Sequence, residues 1–337
     1  MTVRVGVNGF GRMGRALLRA SLDGDPGIEV VAVNDLGSAS AMAGLLARDS
    51  VYGRLRHELK ANSEGFAVDG RFIRYTSESD PARVPWDEAG VQVVVEATGR
   101  FRTREAVAAH LGGGVSAVVV SAPCKDADAT IVLGVNEGDL EPAHHRVISN
   151  ASCTTNCLAP MIKVLDDNFG VETGFITTVH AYTGDQVLVD GPHKDSRRAR
   201  AAAINIVPTS TGAARATGLV MASLEGRLDG TALRVPVPDG SITDLVAYLQ
   251  QDVTAEEVND AFRTAAAGSL GRYLQYSDGE PLVSSDIVGS PASCVFDSDL
   301  TMASGRLVKV FGWYDNEWGY ANRLAELAAL VGSTVKG

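Results

Sequence analysis

The chain has 337 residues, with 45% hydrophobic and 21% charged side chains and a formal net charge of -11. That length and balance suit two packed domains and argue against a disordered or fibrous protein. The acidic surplus disfavours nucleic acid and anionic membrane as partners, so an anionic ligand has to be caught by a local cluster of donors.

The opening residues alternate like a strand over Val3–Val7 and reach glycines at once, without the apolar core of a signal peptide. No apolar run approaches membrane-spanning length. The four cysteines, Cys124, Cys153, Cys157 and Cys294, lack disulfide-rich or zinc-type spacing. A cytoplasmic protein without a metal is the expectation.

Gly9-x-Gly11-x-x-Gly14 follows the first strand and opens a helix over Arg12–Ala20. Glycines there tighten the turn and let backbone approach a pyrophosphate, whose charge suits the helix amino terminus. A bare strand-to-helix turn explains the motif equally well. What decides is Asp35, placed after the second strand Glu29–Asn34, where a carboxylate accepts from both adenine-ribose hydroxyls and repels a 2′-phosphate. NAD is favoured over NADP. Further strands over Val91–Ala97, Ala117–Ser121 and Arg146–Ser149, alternating with helical stretches, predict a parallel sheet of the α/β class.

Ser149-Asn-Ala-Ser-Cys153 joins the last of these strands to a helix over Thr154–Asp166. A thiol at a helix amino terminus faces free amides and the positive dipole end, which predicts a lowered pKa and a reactive Cys153. Cys124, Cys157 and Cys294 read as small buried hydrophobes. The texture then changes to longer, Thr- and Val-rich strands over Glu172–Thr183, Thr231–Val237, Ile242–Asp252 and Arg306–Trp313, which predicts an α+β domain. His180 lies in the first of these. Alone it reads as a structural histidine; paired with Cys153 it becomes a base. The other histidines, His57, His110, His144, His145 and His193, read as surface.

Pro192-His-Lys-Asp-Ser-Arg-Arg-Ala-Arg200 concentrates positive charge, and Pro208-Thr-Ser-Thr-Gly212 reads as a hydroxyl-rich turn suited to an oxyanion. A small phosphorylated substrate fits both. Thr254 and Glu257 form a capping box before a helix over Glu256–Ala267, and Tyr320–Val331 carries helical spacing.

Five motifs in order, Asn8-Gly-Phe-Gly-Arg-Met-Gly-Arg15, Ser149-Asn-Ala-Ser-Cys-Thr-Thr-Asn156, His180-Ala-Tyr-Thr183, Pro208-Thr-Ser-Thr-Gly-Ala-Ala214 and Gly312-Trp-Tyr-Asp-Asn-Glu-Trp-Gly-Tyr320, closely resemble the glyceraldehyde-3-phosphate dehydrogenase family. The resemblance implies a Rossmann domain over 1–151, completed by 316–337, and an α+β catalytic domain with a large mixed sheet over 152–315. It implies a homotetramer in which the loop at about Tyr182–Ala203 lies near a neighbour's cofactor site. Cys153 would be the nucleophile and His180 the base. Thr183 and Arg234, with Asp185 nearby, would hold the phosphate of glyceraldehyde 3-phosphate. Ser152, Thr154, Arg198, Thr211 and Gly212 would hold inorganic phosphate, with Arg197 the alternative to Arg198. Arg12, Met13, Asp35, Ser121 and Asn316 match positions that contact NAD, and Ser79 stands where many relatives carry an arginine near adenine. The alternatives are erythrose-4-phosphate dehydrogenase, and a catalytically idle NAD-binding regulator.

Overall fold

The computed structural model describes residues 2–24 and 26–334, which fall into two compact units. The first contains residues up to 131, 138–151 and 321 onward; the second contains 132–137 and 152–320. Relative to the expected bounds, 132–137 and 316–320 lie with the second unit, and 335–337 lie outside the described residues. The shift near the carboxyl end has a local cause. Asp315 Oδ1 accepts from the amides of Glu317 and Trp318, so the final helix is started by a residue of the second unit.

The first unit is built on strands β1 (Val3–Asn8), β2 (Ile28–Asn34), β3 (Leu59–Ala61), β4 (Gly65–Val68), β5 (Arg71–Thr76), β6 (Val93–Glu96), β7 (Ala117–Val120), β8 (Ala129–Thr130) and β9 (Val147–Ser149). Their order is β8-β9-β7-β6-β1-β2-β5-β4-β3, parallel except where β4 pairs with β3 and β5. β6 and β7 are buried at every position, which is why they read as unbroken apolar runs. β1 lies between β2 and β6, where successive crossovers diverge, and ligands of such sheets bind at the carboxyl ends of those strands. Helix α1 (Arg12–Asp23) leaves β1 there and buries Ala16, Leu17, Leu18 and Ala20; α2 (Ala39–Ala47) follows β2.

The second unit carries α3 (Cys153–Phe169), β10 (Val171–Ala181), β11 (Val207–Ser210), α4 (Ala213–Val220), β12 (Leu228–Val235), β13 (Ser241–Leu249), α5 (Ala255–Ala267), β14 (Leu274–Ser277), β15 (Cys294–Ser304) and β16 (Leu307–Tyr314). The sheet order is β11-β12-β10-β13-β16-β15-β14, with β10/β12 and β14/β15 parallel and the other pairs antiparallel, so the sheet is mixed. Along β13 every second residue is buried, the period of a sheet covered on one face. That face packs Leu245 and Ala247 with Leu158, Met161 and Leu165 of α3 and Phe262 of α5. Phe262 stacks on Phe296 at 3.8 Å. The capping box of Thr254 and Glu257 is present. At Gly312 of β16, a Cβ would lie 2.5 Å from Met161 Sδ, 2.6 Å from Cys294 Sγ and 3.1 Å from Cys157 Sγ. Only glycine lets β16 approach α3 this closely. The final helix, α6 (Trp318–Thr334), completes the chain.

Two expectations change. Pro208-Thr-Ser does not form a turn: it lies in β11, an outermost strand where a missing proline N–H breaks no ladder, and Gly212 then caps α4. β15 and β5 were not anticipated, because neither carries a clean apolar alternation in sequence.

Candidate active site

The first unit holds a cleft of about 300 Å³ at the carboxyl ends of β1 and β2, lined among others by Gly9, Gly11, Asp35, Ser79 and Thr98. Gly9 has φ of +93°, and a Cβ at Gly14 would strike the Gly9 carbonyl oxygen at 2.3 Å, so the turn is closed by glycine at both positions. Gly11 faces open space, and α1 starts there without a side-chain cap, the arrangement that an anionic pyrophosphate fills. Asp35 accepts from the amides of Phe10 at 2.7 Å and Gly37 at 2.9 Å. A carboxylate has about four acceptor sites, so two remain for ribose hydroxyls. The residues present fit a dinucleotide.

Arg12, Met13 and Ser121 do not line this cleft. The Arg12 guanidinium is paired with Asp49, whose carboxyl is buried but held below the usual range by the amides of Tyr52 and Val51 and by Arg12. Behind the cleft runs a buried network that the sequence reading missed. Trp86 Nε1 donates to His110 Nδ1 at 3.1 Å, His110 Nε2 lies 3.2 Å from Glu96, and Asn8 Nδ2 donates to Glu96 at 2.6 Å. His110, expected at the surface, is 3% exposed. Its three partners come from separate segments, so only the folded sheet reveals them.

In the second unit Cys153 begins α3. Ala151, in the left-handed region at φ +54°, turns the chain from β9, and Ser152 caps the helix by accepting from the Thr155 amide at 3.0 Å. Such a cap contributes about 1 kcal/mol. Cys153 Sγ lies 3.5 Å from His180 Nε2. His180 Nδ1 lies 2.7 Å from the Ala181 carbonyl oxygen. Arg234 stands opposite His180 in the β10/β12 register, and its Nη1 donates to that same carbonyl at 2.8 Å. Tyr314 braces the group from β16: its hydroxyl joins Thr154 at 2.9 Å and Thr178 at 2.8 Å, and its ring meets His180 edge-on.

The electrostatics reverse one expectation. Burial pushes the Cys153 thiol up to about 11, against the pull of Arg234 and of the Thr154 hydroxyl and amide. Burial also pushes His180 down to about 3, with Arg234 adding to the fall. Cys153 keeps intermediate exposure, so water tempers the push on its thiol. The helix terminus assists the thiolate without overcoming desolvation. Burial of each group by itself favours its neutral form, whereas moving the proton from sulfur to imidazole creates opposite charges 3.5 Å apart whose attraction, about 5 kcal/mol at an effective dielectric near 20, favours the ion pair.

The Arg198 guanidinium is directed inward: Nε donates to Thr209 Oγ1 at 2.9 Å, and Nη1 pairs with Asp185. Arg197 is exposed, so Arg198 is the arginine held at this position. His193, also expected at the surface, accepts from the Asp195 amide at 2.9 Å, and Asp195 accepts from Thr209. Thr183 is half-buried, Thr211 accepts from the Ala213 amide at 3.2 Å, and Gly212 is exposed. Asn316 Oδ1 accepts from the Ser241 hydroxyl at 2.6 Å, and Ser241 in turn accepts from the Ala181 amide. Ser241 and Tyr314 were missed by the sequence reading, although strand parity with the buried Leu245 and Val310 points both to the covered face.

A family model described as the NAD binding domain of glyceraldehyde 3-phosphate dehydrogenase matches residues 3–104, and one described as its C-terminal domain matches 152–316. The chain belongs to the glyceraldehyde-3-phosphate dehydrogenase family. Relatives named glyceraldehyde-3-phosphate dehydrogenase agree along the whole length. One from Streptomyces coelicolor is 57% identical over 335 residues, and glyceraldehyde-3-phosphate dehydrogenase 2 of Streptomyces avermitilis is 56% identical over 334, each match covering 99% of both chains. One from Geobacillus stearothermophilus is 54% identical over 334 residues, again covering 99% of both. The chain is therefore an NAD-dependent oxidoreductase of this glycolytic family, with a Rossmann domain and an α+β catalytic domain.

Proposed function

We propose that the chain oxidises glyceraldehyde 3-phosphate to 1,3-bisphosphoglycerate through a thioester on Cys153, with His180 as the acid and base. The 3.5 Å approach of Cys153 Sγ to His180 Nε2 carries this reading. Sγ adds to the aldehyde carbon as its proton passes to Nε2, which returns a proton to the aldehyde oxygen and gives a hemithioacetal. His180 then takes the hydroxyl proton as the carbonyl re-forms. Bound NAD supplies the acceptor for the hydride lost at that stage. An oxygen of inorganic phosphate attacks the thioester carbon, the C–S bond breaks, and Cys153 leaves as thiolate.

Two anions need two sets of donors. Arg234 and Thr183, with Asp185 beside them, take the substrate phosphate; Ser152, Thr154, Arg198, Thr211 and Gly212 take inorganic phosphate. Arg234 Nε, buried without a hydrogen-bond partner, supports the first assignment. For the second, the Ser152 and Thr154 hydroxyls already have partners in the hydroxyls of Thr155 and Tyr314, which phosphate has to share or displace. Arg12, Met13, Asp35, Ser79, Ser121 and Asn316 serve the cofactor. The cofactor domain is read as 1–151 completed by the final helix and the catalytic domain as 152–315, with 132–137 and 316–320 grouped with the latter.

The assembly we propose is a homotetramer in the cytoplasm, without nucleic acid or membrane as partner. Leu188 is 80% exposed and Val189 72%, an apolar tip on a loop tied by the Asp190–Arg200 pair, and such a tip fits a neighbouring subunit. The net charge of -11 supports the exclusions, and among the described residues no helix is long and apolar enough to cross a membrane.

The test is NADH formation from glyceraldehyde 3-phosphate with and without phosphate, followed by mass spectrometry of the phosphate-free sample. Turnover that needs phosphate, with an acyl adduct on Cys153 when phosphate is omitted, is the expected result. Undiminished turnover without phosphate, or an adduct on another residue, defeats the reading.

A further inference from the structure

The buried network behind the dinucleotide cleft converges on the Glu96 carboxylate, which stands at the end of β6, is 1% exposed and takes four donors. Its Oε1 holds the Thr98 amide at 2.9 Å and the Thr98 hydroxyl. Its Oε2 holds Asn8 Nδ2 at 2.6 Å and His110 Nε2 at 3.2 Å. The role of His110 is fixed by its other nitrogen. An indole N–H can only donate, so Nδ1 accepts from Trp86 and the ring proton on Nε2 faces the carboxylate. Four donors fill the acceptor capacity of a carboxylate.

A carboxylate that only accepts sets the direction of each bond leading to it. Asn8 turns its Nδ2 to Glu96, so its Oδ1 is left to accept from Asn34 Nδ2 at 2.8 Å. Asn34 Oδ1 then accepts from the Thr76 hydroxyl at 2.9 Å and the Glu78 amide at 2.8 Å. On the opposite wall the Thr98 hydroxyl donates to Glu96 and accepts from the Arg100 amide at 3.1 Å. Asn8, Asn34, Glu78, Thr98 and Arg100 all line the cleft, and Glu96 does not. Thr98 also rests on the glycine turn, since a Cβ at Gly9 would lie 2.6 Å from the Thr98 nitrogen.

We propose that Glu96 is a positioning residue for the cofactor: from beneath the cleft it orients the polar groups of both walls and holds Thr98 against the turn at Gly9. The adenosine half of the dinucleotide then meets walls that need no rearrangement, which removes an ordering cost from binding. The inference rests on the reading of this cleft as the cofactor site. Burying a carboxylate costs more than burying an apolar side chain of similar volume, and what it adds here is direction. Glutamine has the same shape but carries two hydrogens in place of one oxygen. If those hydrogens face Thr98, its amide and hydroxyl lose their acceptor. If they face Asn8 and His110, two donors oppose two donors, and Asn8 has to flip and turn Asn34 with it.

The test is calorimetric titration of the intact Glu96→Gln protein with NAD and with adenosine 5′-monophosphate, which carries the adenosine half alone, beside steady-state kinetics. Both ligands should bind about tenfold more weakly, as for one lost charge-assisted hydrogen bond. At saturating NAD, kcat and the KM for glyceraldehyde 3-phosphate should each change by less than about twofold, since the chemistry lies elsewhere. Thr98→Val, which removes the hydroxyl and keeps the amide, should fall between. Urea unfolding of each variant measures the purely structural contribution. If the unfolding midpoint falls while both ligands bind as tightly as to the native protein, Glu96 supports the fold alone; the proposal is overturned and the cofactor reading survives. If adenosine 5′-monophosphate does not compete with NAD for the native protein, the cleft is not the dinucleotide site, and the reading and the inference fail together. Should Glu96→Gln not fold, Thr98→Val decides: weaker binding of both ligands upholds the proposal and unchanged binding overturns it. A loss confined to kcat would assign Glu96 to the chemistry and overturn it as well.

Discussion

The dinucleotide cleft and the cysteine centre are built on opposite principles. The cleft is made largely of backbone from consecutive segments: Gly9, Gly11 and Gly14 shape one turn, and Asp35 closes it from the end of the next strand. The cysteine centre gathers side chains from α3, β10, β12 and β16, with Cys153, His180, Arg234 and Tyr314 spread over 162 residue numbers, Cys153 to Tyr314. A site of the first kind tolerates change in side chains and fails when the backbone is blocked. A site of the second kind depends on each side chain and on the register that aligns them.

The sharpest way to break the comparison is Cys153→Ser. Turnover should fall on the order of 10⁴-fold or more, as for other catalytic nucleophiles. NAD affinity, followed by fluorescence titration, should stay within about twofold; a large loss of binding would show that cleft and cysteine centre are energetically coupled. His180→Gln should cost about 10²- to 10⁴-fold in kcat, the usual range for a positioned acid and base. A variant retaining most of its rate would leave Cys153 without a proton acceptor and undo the pair.

Asp35→Ala tests the cleft. The ratio of kcat/KM with NAD to that with NADP should drop by roughly tenfold, matching the loss of about 1.5 kcal/mol in charged hydrogen bonding. An unchanged ratio would move the selectivity elsewhere. The smallest effect is on stability. Asp49 has a lowered folded pKa, so its contribution is present above the unfolded value near 4 and disappears as pH falls through the folded one. Asp49→Asn should therefore cost about 1 kcal/mol in urea unfolding at pH 7 and nothing once both carboxyl states are protonated, near pH 2. An equal cost at both pH values would show that Arg12 is not held by charge.

The same contrast explains what sequence could reveal. The cleft was legible because its parts are contiguous: a strand, three glycines at fixed spacing, and an acid after the next strand. Cys153 was legible from its place at a helix start, and His180 only through that partner. The sign of the thiol shift was not legible, since it depends on how deeply packing encloses the sulfur, which no local pattern reports. The Trp86–His110–Glu96 network escaped for a related reason: each member looks ordinary in its own segment. Pro208 misled because a proline in an outermost strand and a proline in a turn look alike until the sheet order is known.

Gly312 has a bearing on any attempt to stiffen or redesign this protein. Three sulfur atoms occupy the volume that a methyl group would need, two of them on the helix that begins with Cys153. Enlarging position 312 would act as a wedge against the first two turns of that helix and tilt its reactive tip, so damage done one to two turns away would register as lost chemistry before it registered as unfolding.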